Sequence, residues 1–166
     1  LRPTLDAMGI EIERKFLLAG DAWRRHADAG TRVRQFYLAI REGLTVRVRL
    51  REGRKPMITI KTGAGDARGE YEYEVPEADA RELEAARVGF VVEKRRHLVP
   101  LGDLTVEVDV FEGALSPLVM AEIELPAVGH AVDLPDWIGR EVTDDPRYTN
   151  AAMALNGRPD GDAPQR

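Results

Sequence analysis

Charged side chains recur at every second position in one stretch of this sequence after another, and their signs are sorted stretch by stretch. Glu11, Glu13 and Lys15 alternate with Ile10, Ile12 and Phe16, and Arg47, Arg49 and Arg51 alternate with Val46, Val48 and Leu50. Glu70, Glu72 and Glu74 alternate with Tyr71, Tyr73 and Val75. Lys61 stands opposite Ile58 and Ile60. Lys94 shares a parity with Arg96, Glu107 with Asp109, and Glu122 with Glu124. Arginine forks make paired bonds to phosphate oxygens and lysines act as point charges. Carboxylates suit hard cations such as Mg²⁺ or Mn²⁺. So many charges in a confined space are prohibitive unless each sign meets a partner, and a metal-complexed polyphosphate supplies both.

Stepping from i to i+2 keeps a side chain on one face only in a β-strand, so the elements that position these charges are strands. Alternation bounded by turn residues predicts strands over 9–18, 32–41, 44–52, 56–62, 69–76, 91–99, 103–111 and 118–125. Helices are expected over 20–28 with Asp21 as cap, over 77–87 after Pro76, and over 148–156. Two readings of the charged face stand at this point. It is the wet outer face of an antiparallel two-layer protein, or the lining of a closed barrel whose apolar exterior is covered by the helices. Same-sign runs favour the lining, because like charges two positions apart repel with no benefit on a plain surface. By parity Arg14, Arg95 and His97 face away from it, and Arg51 and Glu74 fall beyond its mouth. Trp23 and Trp137 are read as packing residues.

The 166 residues fit one domain, and 43% apolar content is enough for a core. Charged residues make up 32% of the chain but the net charge is only −5, so bulk charge gives no reason to expect nucleic acid. With no cysteine there are no disulfides, thiolate nucleophiles or cysteine-bound zinc. His26, His97 and His130 lie too far apart in sequence for a metal-binding spacing, so carboxylates are the expected ligands. No run has the length of a membrane span, and a cytoplasmic protein is expected. Residues 1–7 are expected as an irregular lead-in, 8–157 as one domain and 158–166 as a flexible tail.

The E-x-E-x-K pattern Glu11-Ile12-Glu13-Arg14-Lys15 resembles the signature of the CYTH family, also called triphosphate tunnel metalloenzymes. The resemblance continues in order through Gln35-Phe36-Tyr37-Leu38, Val46-Arg47-Val48-Arg49, Thr59-Ile60-Lys61 and Glu70-Tyr71-Glu72. It then runs through Val92 to Arg96, Glu107 to Phe111, Ala121 to Glu124 and Glu141-Val142-Thr143, so that it spans Gly9 to Leu155 and is nearest to the small bacterial inorganic triphosphatases.

The resemblance implies a mostly β (α+β) fold, an eight-stranded antiparallel closed barrel or triphosphate tunnel with a charged interior and flanking helices. It implies that Glu11 and Glu13 bind metal, and it makes Glu11, Glu13 and Lys94 the catalytic candidates. Lys15, Tyr37, Arg47, Arg49, Lys61, Lys94, Arg96 and Arg147 match substrate-binding positions. Asp109, Glu122 and Glu124 complete the metal ligands, and Glu70 and Glu72 hold a second metal or orient water. Pro146 stands where some relatives carry a lysine. The expected activity is hydrolysis of inorganic triphosphate to pyrophosphate and phosphate with Mg²⁺ or Mn²⁺. Alternatives are a class IV-type adenylyl cyclase, a thiamine or nucleoside triphosphatase, or a non-catalytic polyphosphate binder. The expected partner is a triphosphate-containing small molecule, with no nucleic acid and no membrane, and the apolar exterior offers a patch for a homodimer.

Overall fold

The computed structural model describes residues 12–63 and 69–159. Within them nine strands form: β1 (Ile12–Leu18), β2 (Thr31–Arg41), β3 (Leu44–Arg51), β4 (Met57–Thr62), β5 (Gly69–Glu74), β6 (Val88–Leu101), β7 (Leu104–Glu112), β8 (Val119–Leu125) and β9 (Ile138–Glu141). The hydrogen-bonded pairs are antiparallel and join in the order β5-β4-β3-β2-β6-β7-β8-β1-β9. Five of the eight neighbouring pairs are consecutive in sequence. Between β6 and β7 the turn is Gly102-Asp103, and Gly102 supplies its positive φ of 58°.

The sheet is strongly curled. β5 and β1 stand seven strand spacings apart in the sheet order, which would separate them by roughly 33 Å in a flat sheet. Yet Glu70 and Glu72 of β5 line the same cavity as Glu13 and Lys15 of β1. The fold is therefore a mostly β tunnel architecture, with nine strands where the sequence predicts eight. β5 and β9 end the hydrogen-bonded order, with no pairing between them among the described residues. The predicted strands otherwise form, shifted by up to three residues at their ends; residues 9–11 of the first lie outside the described residues.

Three apolar clusters hold the curl. Outside β2, β3 and β4, Phe36 and Val48 pack with Ala80 and Leu83 of α1 (Glu77–Leu83), which continues in a 3₁₀ turn at Glu84–Ala86. Outside β1, β6, β7 and β8, Phe16, Val106, Val108, Ala121 and Ile123 pack with Trp23 and Trp137. The predicted helix over 20–28 is only the 3₁₀ turn Ala22–Arg25, and Asp21 makes no side-chain cap there. What holds that segment is Trp23, which is buried beside His97 with ring centroids 5.2 Å apart. The third cluster lies on the inner face. Tyr37, Val92, Phe111 and Met120 share parity with the charged positions, yet they pack on Tyr148, Met153 and Ala154. The helix α2 (Asn150–Asn156) thus closes one end of the tunnel from within and does not cover its exterior, because the inner residues at that end are apolar. Thr149 caps α2 by accepting from the Ala152 N–H at 3.1 Å. Among the described residues no helix is long and apolar enough to cross a membrane.

Candidate active site

The inner face encloses a cavity of about 630 Å³. Its basic wall comes from β2, β3 and β4. Arg47 and Arg49 project from β3 at i and i+2, Lys61 from β4, and Arg41 from the end of β2. Its acidic wall comes from β1, β7 and β8: Glu13, Glu107, Glu122 and Glu124, with Lys15 of β1 among them and Arg96 beside them on β6. Antiparallel register sets these neighbours, placing Lys15 opposite Glu122, Glu13 opposite Glu124 and Glu107 opposite Glu122. On the far side Glu70 pairs in register with Lys61, and Glu72 with Thr59.

The two walls differ in what neutralises them. The Arg96 guanidinium donates to Asp109 through Nε at 2.7 Å and Nη2 at 2.8 Å, and it meets Glu107 at 2.5 Å and Glu122 at 3.4 Å. Although burial pulls against it, these carboxylates raise Arg96 above the ordinary arginine value. Arg47 and Arg49 have no carboxylate within ion-pair distance among the described residues. Arg47 donates to Thr59 Oγ1 at 3.4 Å, and its buried Nε has no hydrogen-bond partner there. Arg49 donates from Nε to Gln35 Oε1 at 2.9 Å. Burial, helped by the charges of Arg47, Arg96 and Arg51, pulls Arg49 down to about 10. Lys61 of the same wall meets Glu70 at 3.9 Å, so the charge left without a carboxylate among the described residues is that of the two arginines.

Beneath this lining lies a buried ion pair. Lys94, 1% exposed, donates to Asp109, 2% exposed, at 2.5 Å. Burial pushes the Asp109 carboxyl up, but Lys94 and Arg96 together overcome it and hold it below the ordinary value. Burial pulls Lys94 down, and Asp109 opposes that pull. The direction that governs the pair is that of Asp109, whose charge two cations fix. Burial also raises Tyr37 and Glu107 above their usual ranges.

The structure thus brings Glu13, Lys15, Tyr37, Arg47, Arg49, Lys61, Glu70, Glu72, Arg96, Glu122 and Glu124 to one cavity. Glu11 lies outside the described residues. Lys94 and Asp109 do not line the cavity, because each satisfies the other below its surface. Arg147 is not brought there either. Its guanidinium is held by Asp145 at 2.6 Å and lies over the Tyr148 ring. Sequence reading missed Arg41, Thr59, Gln35 and the Thr149–Ala151 segment. Arg41 shares the parity of Tyr37, so alternation along β2 could have found it. Thr59 and Gln35 are neutral and carry no charge signal. Arg14, bonded to Glu141, and His97, beside Trp23, lie off the cavity as their parity predicts.

Oxygen donors dominate the acidic wall, the set that hard divalent cations prefer. Among the described residues no three of them converge as a preformed metal cluster. Charge on the wall and donor chemistry fit such an ion.

An antiparallel sheet rolled around a cavity with unneutralised arginines on one wall and clustered carboxylates on the other defines a polyanion-binding tunnel protein. The chain belongs to the CYTH domain family, whose model matches residues 9–150. It is 45% identical over 151 residues to an inorganic triphosphatase of Acetivibrio thermocellus, covering 90% of this chain and 96% of that protein. An inorganic triphosphatase of Nitrosomonas europaea is 39% identical over 151 residues, covering 88% of this chain and 97% of its own. The crystal structure of the inorganic triphosphatase NE1496 superposes with a TM-score of 0.72 at 35% identity, covering 92% of this chain and 99% of that one.

Proposed function

We propose that this chain hydrolyses inorganic triphosphate to pyrophosphate and phosphate with Mg²⁺ or Mn²⁺. The observation that carries the reading is the pair Arg47 and Arg49, which face the acidic wall across the cavity with no carboxylate partner of their own among the described residues. Both similar bacterial proteins are inorganic triphosphatases, which supports the same substrate.

Arg47, Arg49, Arg41 and Lys61 bind the phosphate chain, and Lys15 reaches it from the acidic wall. Glu13, Glu122 and Glu124, with Glu11, would hold the cation, which supplies charge neutralisation on phosphate oxygens. Glu70 and Glu72 on the opposite wall orient the attacking water and accept its proton. The new bond joins water oxygen to the terminal phosphorus, the bridging P–O bond breaks, and pyrophosphate carries away the electron pair. Lys94 and Asp109 touch no substrate in this scheme and hold Arg96 in place. The apolar plug under α2 closes one end of the cavity. That favours a bare triphosphate over one bearing a nucleoside.

Phosphate release from inorganic triphosphate, ATP and thiamine triphosphate with each cation tests the proposal. Turnover of inorganic triphosphate, lost in Glu13→Ala, is the expected result. Cyclic AMP with pyrophosphate from ATP would assign a cyclase, and binding without turnover a non-catalytic receptor.

A further inference from the structure

Gln35 is fully buried, and it lies on the inner face of β2 directly across from Arg49 on β3 and Val92 on β6. Its Oε1 accepts from Arg49 Nε at 2.9 Å. A guanidinium only donates, so the amide is forced to present its carbonyl to Arg49 and to turn Nε2 away. That Nε2 is buried with no hydrogen-bond partner among the described residues. An apolar residue would avoid the unpaired donor, and a carboxylate would neutralise the arginine outright. The same inner face shows the second option. Arg96 is a like guanidinium met by Asp109, Glu107 and Glu122.

We propose that Gln35 is a positioning residue that clamps Arg49 through Nε without neutralising it, so that the charge and terminal nitrogens of Arg49 remain for phosphate oxygens. The inference deepens the triphosphate reading and rests on it. Burial, and after it the neighbouring cations Arg47, Arg96 and Arg51, lowers Arg49 to about 10, and an incoming polyanion relieves the cation field. A neutral acceptor is the one partner that fixes the guanidinium plane and leaves this attraction intact.

Gln35→Glu and Gln35→Leu test it, read by calorimetric affinity for inorganic triphosphate in EDTA, by KM and kcat with Mg²⁺, and by thermal midpoint. Gln35→Glu places a counter-charge on Arg49. It is expected to weaken triphosphate binding about tenfold and to raise KM in step, with kcat changed by less than about threefold. The defect is expected to shrink as pH falls through the carboxyl range, since a protonated glutamate is neutral like the amide. A merely structural role gives no such pH dependence. Gln35→Leu removes the acceptor and is expected to lose about fivefold in affinity at every pH.

Wild-type affinity and KM in a folded Gln35→Glu protein, or a defect in it that ignores pH, would overturn the inference. If Gln35→Glu does not fold, Gln35→Leu decides alone, and binding within about twofold of wild type overturns the inference. Wild-type protein that neither binds nor hydrolyses triphosphate overturns the functional proposal itself, a failure distinct from one confined to the variants.

Discussion

Replacing Asp109 by Asn should destabilise the protein far more than the change of one atom suggests. Asp109 accepts from Lys94 Nζ at 2.5 Å and from Arg96 at 2.7 and 2.8 Å, and Lys94 is only 1% exposed. The amide keeps the shape but cannot offset either charge, so Lys94 is left as an unpaired buried ammonium. Removing one partner of a buried pair costs about 3–5 kcal/mol. At about 2–4 °C per kcal/mol for a chain of this size, the midpoint should fall by roughly 6–20 °C. Calorimetric unfolding near neutral pH reads it directly. The double variant Lys94→Met with Asp109→Leu should recover most of the loss, because it leaves no ion of the pair unpartnered and Arg96 keeps Glu107 and Glu122. The sign of the pH dependence follows from Asp109 being depressed in the fold. Its stabilisation is complete above the unfolded carboxyl value of about 3.9 and is lost as pH falls through the folded value. The gap between wild type and Asp109→Asn should therefore narrow in acid. A variant that unfolds within about 2 °C of wild type at neutral pH would refute the buried-pair account.

Arg49→Gln removes a buried guanidinium that has no carboxylate partner among the described residues and should lower kcat/KM for inorganic triphosphate by at least about tenfold, whereas a value within about twofold of wild type counts against a role for its charge. Gly89 has φ 71°, and a Cβ there would lie 2.1 Å from the Ala154 carbonyl oxygen. Gly89→Ala should cost at least about 1–2 kcal/mol from the left-handed backbone alone, measured by denaturant unfolding, with the end of α2 displaced from β6. Thr149→Ala removes the cap of α2 and should cost about 1 kcal/mol; no change in unfolding would show that the plug is held by its apolar face alone. Glu13→Gln and Glu122→Gln should each shift the Mn²⁺ dependence of turnover to higher concentration, and unchanged metal titrations would remove these carboxylates from the cation site.

Much of the cavity lining was legible because strand parity is local. Glu13, Lys15, Arg47, Arg49, Lys61, Glu70, Glu72, Glu122 and Glu124 lie on one face by spacing alone, whatever the strands pair with. β9 was not legible: Ile138-Gly139-Arg140-Glu141 has no clear alternation and exists as a strand by pairing with β1. Arg147 follows sequence order into the closing segment, but Asp145, two residues away, holds it at short range.

The amino-acid sequence by itself determined which side chains share one strand face and that this face carries both signs of charge, because a two-residue period needs no knowledge of partners. Only the tertiary structure decided which of those charges are available. Register between β6 and β7 sets Arg96 opposite Asp109 and brings Lys94 within reach of the same carboxylate, so these charges neutralise one another. Register between β2 and β3 sets Arg49 opposite a neutral glutamine. Availability depends on cross-strand distances of a few ångströms, and those are properties of the rolled sheet.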